Sequence, residues 1–204
     1  MQNTTQWTIG IPDKEFYQRK PLQGLITKAE VRVISLSKMS IRPDSVVWDI
    51  GAGSGSVSIE AALIAKNGSV HAIEKNLEDC ENVRQNIQKF GATNVELIHG
   101  VAPENLEAFP DPDAVFIGGS GGKMSEIISI SASRLRNGGR IVVDAATIEN
   151  LAEALAGLKD NRLCTAVTMV SIGRSKDIIG LTRFEALNPV FVLSGWREEE
   201  GEGE

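Results

Sequence analysis

The sequence predicts an α/β fold, a mostly parallel sheet with helices on both faces. Short apolar runs alternate with helical patterns from residue 46 to about residue 159, and such alternation builds a parallel sheet. Two further apolar runs, 165–172 and 189–195, follow without a helix between them and bring the number of predicted strands to seven. With 204 residues, 42% of them hydrophobic, the chain suits one domain with a sizeable core.

The elements follow in order along the chain. Residues 1 to about 26 are an irregular arm, because they lack periodicity and contain Pro12 and Pro21. Thr27 and Glu30 fit a capping box that opens a helix through Met39. Apolar runs between turn residues predict strands at 46–50, 70–74, 95–99, 114–118, 140–145, 165–172 and 189–195. Helical patterns predict helices at 56–66, 77–90, 103–108, 124–136 and 148–159, with Gly91 and Gly138-Gly139 as stop signals.

The charge balance argues against nucleic acid as a partner. The net charge is −6, and five of the 27 acidic residues lie in segment 198–204. We expect this segment to be a disordered acidic tail after a single domain of residues 1–197. Without the tail the charges nearly balance, whereas nucleic-acid binding favours a basic face.

Other features favour a cytoplasmic protein without metal. No apolar run reaches the roughly 18 residues that a membrane span needs, and the first ten residues do not resemble a signal peptide. Cys80 and Cys164 lie far apart and are expected to be reduced thiols. His71 and His99 fall on different predicted strands, so no metal site is expected.

The glycine-rich turn after the first predicted strand is typical of nucleotide-binding βα units. Glycines at 51, 53 and 55 follow Asp49, and a helical pattern begins directly afterwards. Glycine permits positive φ and close approach of a ligand. The position of the third glycine in a dinucleotide fingerprint is Ser56 here, so the spacing does not favour a dinucleotide. Asp49 has an alternative interpretation as a cap or turn former for this loop.

Glu74 closes the second predicted strand, nineteen residues after Gly55. A carboxylate there can accept hydrogen bonds from both hydroxyls of a ribose. The alternative is a solvated glutamate at a strand end.

The carboxyl ends of parallel strands form the ligand crevice of such sheets. The loop after the fourth predicted strand, Gly118-Gly119-Ser120-Gly121-Gly122, is therefore expected at the crevice. It offers backbone rather than side-chain chemistry, and its N–H groups suit carboxylates or the edge of a flat substrate. A flexible turn is the alternative.

Two levels of family resemblance rest on these motifs. The G-x-G-x-G spacing with Asp49 resembles motif I of class I S-adenosylmethionine (SAM) methyltransferases. Seven stretches together resemble the decarboxylating cobalt-precorrin methyltransferases of cobalamin biosynthesis: 10–16, 26–32, 48–55, 72–74, 102–104, 112–122 and 188–190. The glycine-rich loop after the fourth strand and Thr27-x-x-Glu30-Val31-Arg32 are the distinctive pieces.

The resemblance implies a Rossmann-like class I methyltransferase fold with an antiparallel strand near the C-terminus, SAM as methyl donor and a homotetramer. The implied acceptor is a cobalt-containing tetrapyrrole, which is methylated at carbon 15 and loses carbon dioxide from the acetate on ring C. The implied cofactor-binding residues are Thr27, Gly51, Ala52, Gly53, Ser54, Gly55, Glu74 and Ala102. Thr27 is equally well interpreted as a plain N-cap, and Val101 stands where many relatives carry an adenine-binding acid.

The acceptor is expected against Gly118, Gly119, Ser120, Gly121 and Gly122. The arm and segment 173–187 would form the other walls. Segment 173–187 would be a substrate lid or a subunit contact, with plain loop padding as a further alternative. The candidate clamps for the acceptor's carboxylates are the basic residues Arg19, Lys28, Arg32, Lys123, Arg174 and Arg183, with Arg19 and Arg174 preferred.

The sequence identifies no catalytic acid or base. An enamine-like carbon can attack a sulfonium methyl without a strong base, so catalysis would rest on alignment. Two other functions stay open from the residues: an RNA (tRNA) methyltransferase and a non-catalytic SAM-binding protein.

Overall fold

The computed structural model describes residues 7–19 and 26–197. The predicted tail, 198–204, and parts of the predicted arm lie outside the described residues. The strands are β1 (Val46–Ile50), β2 (Ser69–Glu74), β3 (Val95–His99), β4 (Ala114–Ile117), β5 (Arg140–Ala145), β6 (Cys164–Val170), β7 (Gly173–Ile178), β8 (Leu181–Ala186) and β9 (Val190–Trp196). The helices are α1 (Ala29–Met39), α2 (Ser56–Ile64), α3 (Leu77–Phe90), α4 (Met124–Arg134) and α5 (Ile148–Asp160).

Seven strands form one sheet in the order β3-β2-β1-β4-β5-β9-β6. The first five strands in this order are parallel, and β9 runs antiparallel to both β5 and β6. The winding reverses between β1 and β4, and at such a switch point a crevice opens beyond the carboxyl ends of the strands. The predicted Rossmann-like fold class is confirmed.

Alternating side chains of the sheet build a core on each face. Val47 on β1 packs with residues of α1 and α2, such as Val31 and Ile59. Trp48, the next residue, packs on the opposite face with Ile127 of α4 and with residues of α5. Because helices cover both faces, the central strands are apolar on both sides.

The start of α1 differs from the predicted capping box. The helix begins at Ala29, with Lys28 as its N-cap residue and without a side-chain cap from Thr27. The N–H of Ala29 instead donates to Asp13 Oδ1 at 2.9 Å. Asp13 opens a short 3₁₀ turn in the arm, so a tertiary contact replaces the local cap. The capping-box prediction for Thr27 was therefore wrong.

One other helix prediction was wrong, and the stop signal predicted for a second helix lies beyond its end. Segment 103–108 contains only a 3₁₀ turn, Leu106–Ala108, because so short a segment gains too few hydrogen bonds to nucleate an α-helix. Helix α4 ends at Arg134, before Gly138-Gly139. A Cβ on Gly139 would lie 2.8 Å from Asp113 O, so this glycine serves the close turn into β5.

Segment 173–187 is a β-hairpin rather than an irregular insertion. Strands β7 and β8 pair antiparallel as a sheet of their own. Arg174 Nη2 lies 2.9 Å from Asp13 Oδ2 and 2.5 Å from Glu30 Oε2, which ties the hairpin to the arm and to α1.

Within the described ranges, no helix combines the length and apolar character that crossing a bilayer requires.

Candidate functional site

A cleft of about 290 Å³ opens beyond the carboxyl ends of β1, β2 and β4, at the switch point. Its walls come from the glycine turn after β1, the end of β2, the segment after β3 and the loop after β4. The lining residues are Arg19, Thr27, Gly51, Ala52, Gly53, Ser56, Val57, Ile73, Glu74, Lys75, Asn76, Asp79, Gly100, Val101, Ala102, Phe116, Gly118, Gly119, Ser120 and Gly121. The structure thus brings together most of the residues predicted for cofactor and acceptor.

The glycine turn and the loop after β4 lie in direct contact. Gly51 has a φ of 76°, and a Cβ there would lie 2.6 Å from Gly119 O and 2.9 Å from Gly119 N. Any side chain at position 51 would push the two loops apart. The segment predicted for the cofactor and the segment predicted for the acceptor therefore share one wall of the cleft.

Ser54 and Gly55 do not line the cleft. Gly55 is the N-cap residue of α2 in the left-handed region, and a Cβ there would come within 3.0 Å of Val83 Cγ1. The carbonyl of Ser54 accepts a hydrogen bond from Asn86 Nδ2 at 2.9 Å. Both residues therefore contact α3 and stabilise the glycine turn without lining the cleft.

Glu74 is buried at the end of β2 and lines the cleft. Gly53 N donates to Oε2 at 2.9 Å, and Asn76 N donates to Oε1 at 2.9 Å. Two backbone donors therefore fix the carboxylate's orientation beside the glycine turn. The alternative interpretation of Glu74 as a solvated strand end was wrong.

Asp49 lies inside β1 and is 1% exposed. The Ser58 hydroxyl in the first turn of α2 donates to Asp49 Oδ2. Burial raises the pKa of Asp49 to about 6, and the hydrogen bond from Ser58 opposes this shift. Asp49 does not line the cleft, and it does not cap α2 either, because Gly55 is the N-cap residue and the helix has no side-chain cap.

The arm contributes Arg19 to the cleft. Arg19 Nη2 lies 3.2 Å from Asp79 Oδ2, in the first turn of α3. Asn86, which is completely buried on the same helix, holds the backbone of Tyr17 through its amide. The predicted wall formed by the arm is thus present at Arg19, whereas none of residues 173–187 lines the cleft.

Most basic residues considered as carboxylate clamps lie outside the cleft. Arg32 is fully buried, with Nε 2.8 Å from Glu60 Oε1, and one of its guanidinium nitrogens donates to Thr27 O. Lys123 pairs with Glu104 at 2.7 Å. Arg174 makes the contacts with Asp13 and Glu30 described above and does not line the cleft. Lys28 and Arg183 also lie outside the lining, as does Gly122 of the loop predicted for the acceptor. Opposite charges within the fold hold three of these cations in place.

The comparisons with known proteins agree with this geometry. Residues 18–197 match the family model for the precorrin methyltransferase domain. The chain belongs to the precorrin methyltransferase family. The resemblance found in the sequence is therefore confirmed, and the glycine turn, Glu74 and the loop after β4 form the cleft of a precorrin methyltransferase domain.

Relatives of this precorrin methyltransferase match it almost end to end. A probable cobalt-precorrin-6B C(15)-methyltransferase (decarboxylating) from Pyrobaculum calidifontis is 39% identical over 191 residues, 93% of this chain and 96% of the relative. Precorrin-6y C5,15-methyltransferase from Geobacter metallireducens is 44% identical with a TM-score of 0.89, over 95% of this chain and 100% of that chain. Precorrin 8W decarboxylase from Methanobacterium thermoautotrophicum is 34% identical with a TM-score of 0.86, over 91% and 98%.

Sequence reasoning missed several residues of this family member's cleft: Lys75, Asn76, Asp79 and Phe116 line it. Lys75 and Asn76 directly follow Glu74, so their place after a strand end was the available signal. Asp79 and the supporting Asn86 lie on α3, where polar residues look like ordinary surface positions. In the described part of the chain, no cluster of three or more His, Cys, Asp or Glu side chains could hold a metal ion.

Proposed function

We propose that this chain transfers a methyl group from SAM to carbon 15 of a cobalt-precorrin-6B-type tetrapyrrole and releases carbon dioxide from the acetate on ring C. This reaction would place it in cobalamin biosynthesis. The backbone contact between Gly51 and Gly119 carries the proposal, because it joins the cofactor loop to the acceptor loop within one cleft. Relatives with this activity in their names match over nearly their whole length.

The residues around the glycine turn fit SAM, which supplies an electrophilic methyl group on sulfur. Gly51 and Gly53 both have positive φ, and a loop without side chains lets a ligand approach the backbone. Glu74 is already oriented to accept hydrogen bonds from ribose hydroxyls. Ala102 would meet the adenine edge through its backbone, and Thr27, fixed by Arg32, would contact the methionine part. Ser54 and Gly55 would act by shaping the turn.

The acceptor side of the cleft fits a reaction driven by alignment. The space beside Gly119 is open, since nothing lies within 4 Å of an added Cβ there, and at Gly121 only Lys75 Nζ comes that close, so the edge of a flat macrocycle would approach the loop here. Phe116, Ile73 and Val57 supply apolar walls that reduce the access of water. Among the described residues, the charged groups that line the cleft bind one another or backbone donors, except Lys75. Holding carbon, methyl and sulfur in line would then supply most of the rate enhancement.

The direct test is incubation of the purified chain with SAM and cobalt-precorrin-6B, followed by mass spectrometry of the tetrapyrrole. We expect one added methyl group and the loss of one carbon dioxide per turnover. Bulk tRNA incubated in parallel should gain no methyl groups. Methylated tRNA, or SAM binding without any turnover, would overturn the proposal in favour of one of the two rival functions.

We infer further that the protein is a cytoplasmic homotetramer. The hairpin exposes Ile179, Leu181 and Phe184, of which Ile179 is 98% exposed and Phe184 76%. The neighbouring edge strand β6 exposes Met169. Exposed apolar side chains concentrated in this way favour an interface, and light scattering at micromolar concentration tests for four chains. The thiols of Cys80 and Cys164 are not joined in a disulfide, which suits a reducing compartment.

A further inference from the structure

One charged side chain of the cleft has no partner among the described residues. Four charged side chains line the cleft: Arg19, Glu74, Lys75 and Asp79. Arg19 and Asp79 pair with each other at 3.2 Å. Glu74 accepts hydrogen bonds from two backbone N–H groups. The two cations and two anions of the lining balance, but Lys75 Nζ forms no hydrogen bond or ion pair with any residue in the described ranges, so it is the charged group of the lining that is free to bind an anion.

Lys75 lies where an acceptor would enter the cleft. It directly follows β2, and its backbone carbonyl is within 3.1 Å of His99 Nε2, on the neighbouring strand β3. The side chain is exposed and reaches toward the loop after β4, because Nζ lies 3.8 Å from the position that a Cβ on Gly121 would occupy. The ammonium group therefore reaches across the cleft from the end of β2, the strand that carries Glu74, to the loop after β4 that we assign to the acceptor.

We propose that Lys75 binds a carboxylate side chain of the tetrapyrrole and so helps to select this acceptor. The proposal rests on the proposed function, because the acceptor's carboxylates supply the anion. An ammonium group is a compact point charge with three donors and suits a single carboxylate at a partly exposed edge. Arg19 is the other cation in the lining, and it is already neutralised by Asp79.

The carboxylate on Lys75 is one that the product keeps. Loss of carbon dioxide removes negative charge from the leaving carboxylate, so a cation paired with that group would stabilise the ground state and slow the step. A cation on a retained carboxylate binds the ground state and the transition state alike. Lys75 should therefore affect the KM for the tetrapyrrole far more than kcat.

The experiment compares Lys75→Met with Lys75→Arg and with the control Lys66→Met, an exposed lysine outside the cleft lining. Methionine keeps most of the stem and removes the charge. We expect Lys75→Met to raise the KM for cobalt-precorrin-6B by about fivefold, the scale of one partly exposed ion pair. Lys75→Arg should restore most of the loss, and Lys66→Met should behave as wild type. The KM of the wild-type enzyme should also rise more steeply with salt than that of Lys75→Met.

The outcomes separate this inference from the proposed function. If the wild-type enzyme does not convert the tetrapyrrole, the proposed function fails, whatever Lys75 does. If it does and Lys75→Met has an unchanged KM, only the Lys75 inference is overturned. A loss of SAM affinity by calorimetry without a change in the tetrapyrrole KM would assign Lys75 to the cofactor's carboxylate and overturn it too. If Lys75→Met released less carbon dioxide per methyl group transferred than the wild type does, this would contradict binding to a retained carboxylate.

Discussion

Asn86 and Tyr17 form a reciprocal pair of hydrogen bonds between a side chain and a backbone. Tyr17 N donates to Asn86 Oδ1 at 2.9 Å, and Asn86 Nδ2 donates to Tyr17 O at 3.0 Å. The same Nδ2 group also donates to Ser54 O at 2.9 Å. One buried amide on α3 thus joins the arm that carries Arg19 to the glycine turn, and it couples both walls of the cleft.

Replacement of Asn86 should damage stability and cofactor binding together. In Asn86→Asp the acceptor for Tyr17 N remains, but a carboxylate oxygen faces the carbonyls of Tyr17 and Ser54. We expect a loss of about 2–4 kcal/mol in the free energy of unfolding, because buried groups lose their partners. SAM affinity by calorimetry should fall in the protein that remains folded.

Asn82, one turn earlier on α3, provides the matched control. Its Nδ2 atom is buried and lacks a hydrogen-bond partner among the described residues. Asn82→Leu should therefore be neutral or stabilising in urea denaturation. Equal destabilisation by Asn86→Asp and Asn82→Leu would contradict the special role of Asn86.

Gly51 and Gly119 should respond very differently to alanine. Gly51→Ala forces a Cβ into the backbone of Gly119 at a positive φ, so it should lower the free energy of unfolding by more than about 1 kcal/mol and abolish turnover. At Gly119 nothing lies within 4 Å of an added Cβ. Gly119→Ala should leave stability within about 0.5 kcal/mol.

The added methyl group of Gly119→Ala projects into a cleft that we assign to the acceptor. We therefore expect nearly unchanged SAM affinity and sharply reduced turnover of the tetrapyrrole. Calorimetry with SAM and steady-state kinetics separate the two effects. Full activity in Gly119→Ala would remove the loop after β4 from the acceptor site.

Glu74→Ala should weaken SAM binding by about 1–3 kcal/mol, since the ribose hydroxyls and the N–H of Gly53 both lose an acceptor. Glu74→Gln keeps one acceptor oxygen and should lose less. The control is Glu78→Ala, an exposed glutamate in the first turn of α3 outside the cleft lining. Unchanged SAM affinity in folded Glu74→Ala would exclude Glu74 from the cofactor site.

The sheet could be predicted from the sequence because strands that are buried on both faces consist largely of consecutive apolar residues. Strands β1, β3 and β5 lie at the predicted bounds, as does helix α3. The hairpin of β7 and β8 left no such signal, because nearly all of its residues are exposed. Its turn, Ile179-Gly180, has positive φ at both residues, yet it lacks the Asn-Gly or Asp-Gly pair that usually marks such turns.

Residues of the cleft could be predicted where the backbone fold fixes their position. They were harder to predict where their role depends on which charged residue pairs with them. Glycines and a strand-end acid have fixed places in a βα unit, so Gly51, Gly53 and Glu74 were found. Arg32 is neutralised by Glu60, which is distant in sequence, and spacing alone does not reveal such pairs. Lys75 was missed for the opposite reason, because its proposed role depends on its having no partner among the described residues.

Asp144 on β5 should make the protein less stable as pH rises. Ser35 Oγ donates to Asp144 Oδ1 at 2.8 Å, but Oδ2 is buried without a partner among the described residues. Burial raises the pKa of Asp144 to about 7, with a smaller contribution from the nearby charge of Asp49 and opposition from the Ser35 hydrogen bond. The folded state therefore holds this proton at pH values where the unfolded chain has already released it, above about pH 4.

The sign follows from this difference in bound protons. Between about pH 4 and pH 7 the folded state binds one more proton at Asp144, so the stability contributed by this group is greatest below pH 4 and is lost as pH rises. The slope is at most about 1.4 kcal/mol per pH unit.

Asp144→Asn keeps an acceptor for Ser35 and has no proton to lose. From pH 4 to pH 8, the free energy of unfolding of this variant, measured by urea denaturation, should rise relative to that of the wild type by roughly 2 kcal/mol or more. Asp160→Asn, at the exposed end of α5, is the control and should track wild type. A difference between Asp144→Asn and wild type that stays constant with pH would show that Asp144 is ionised throughout.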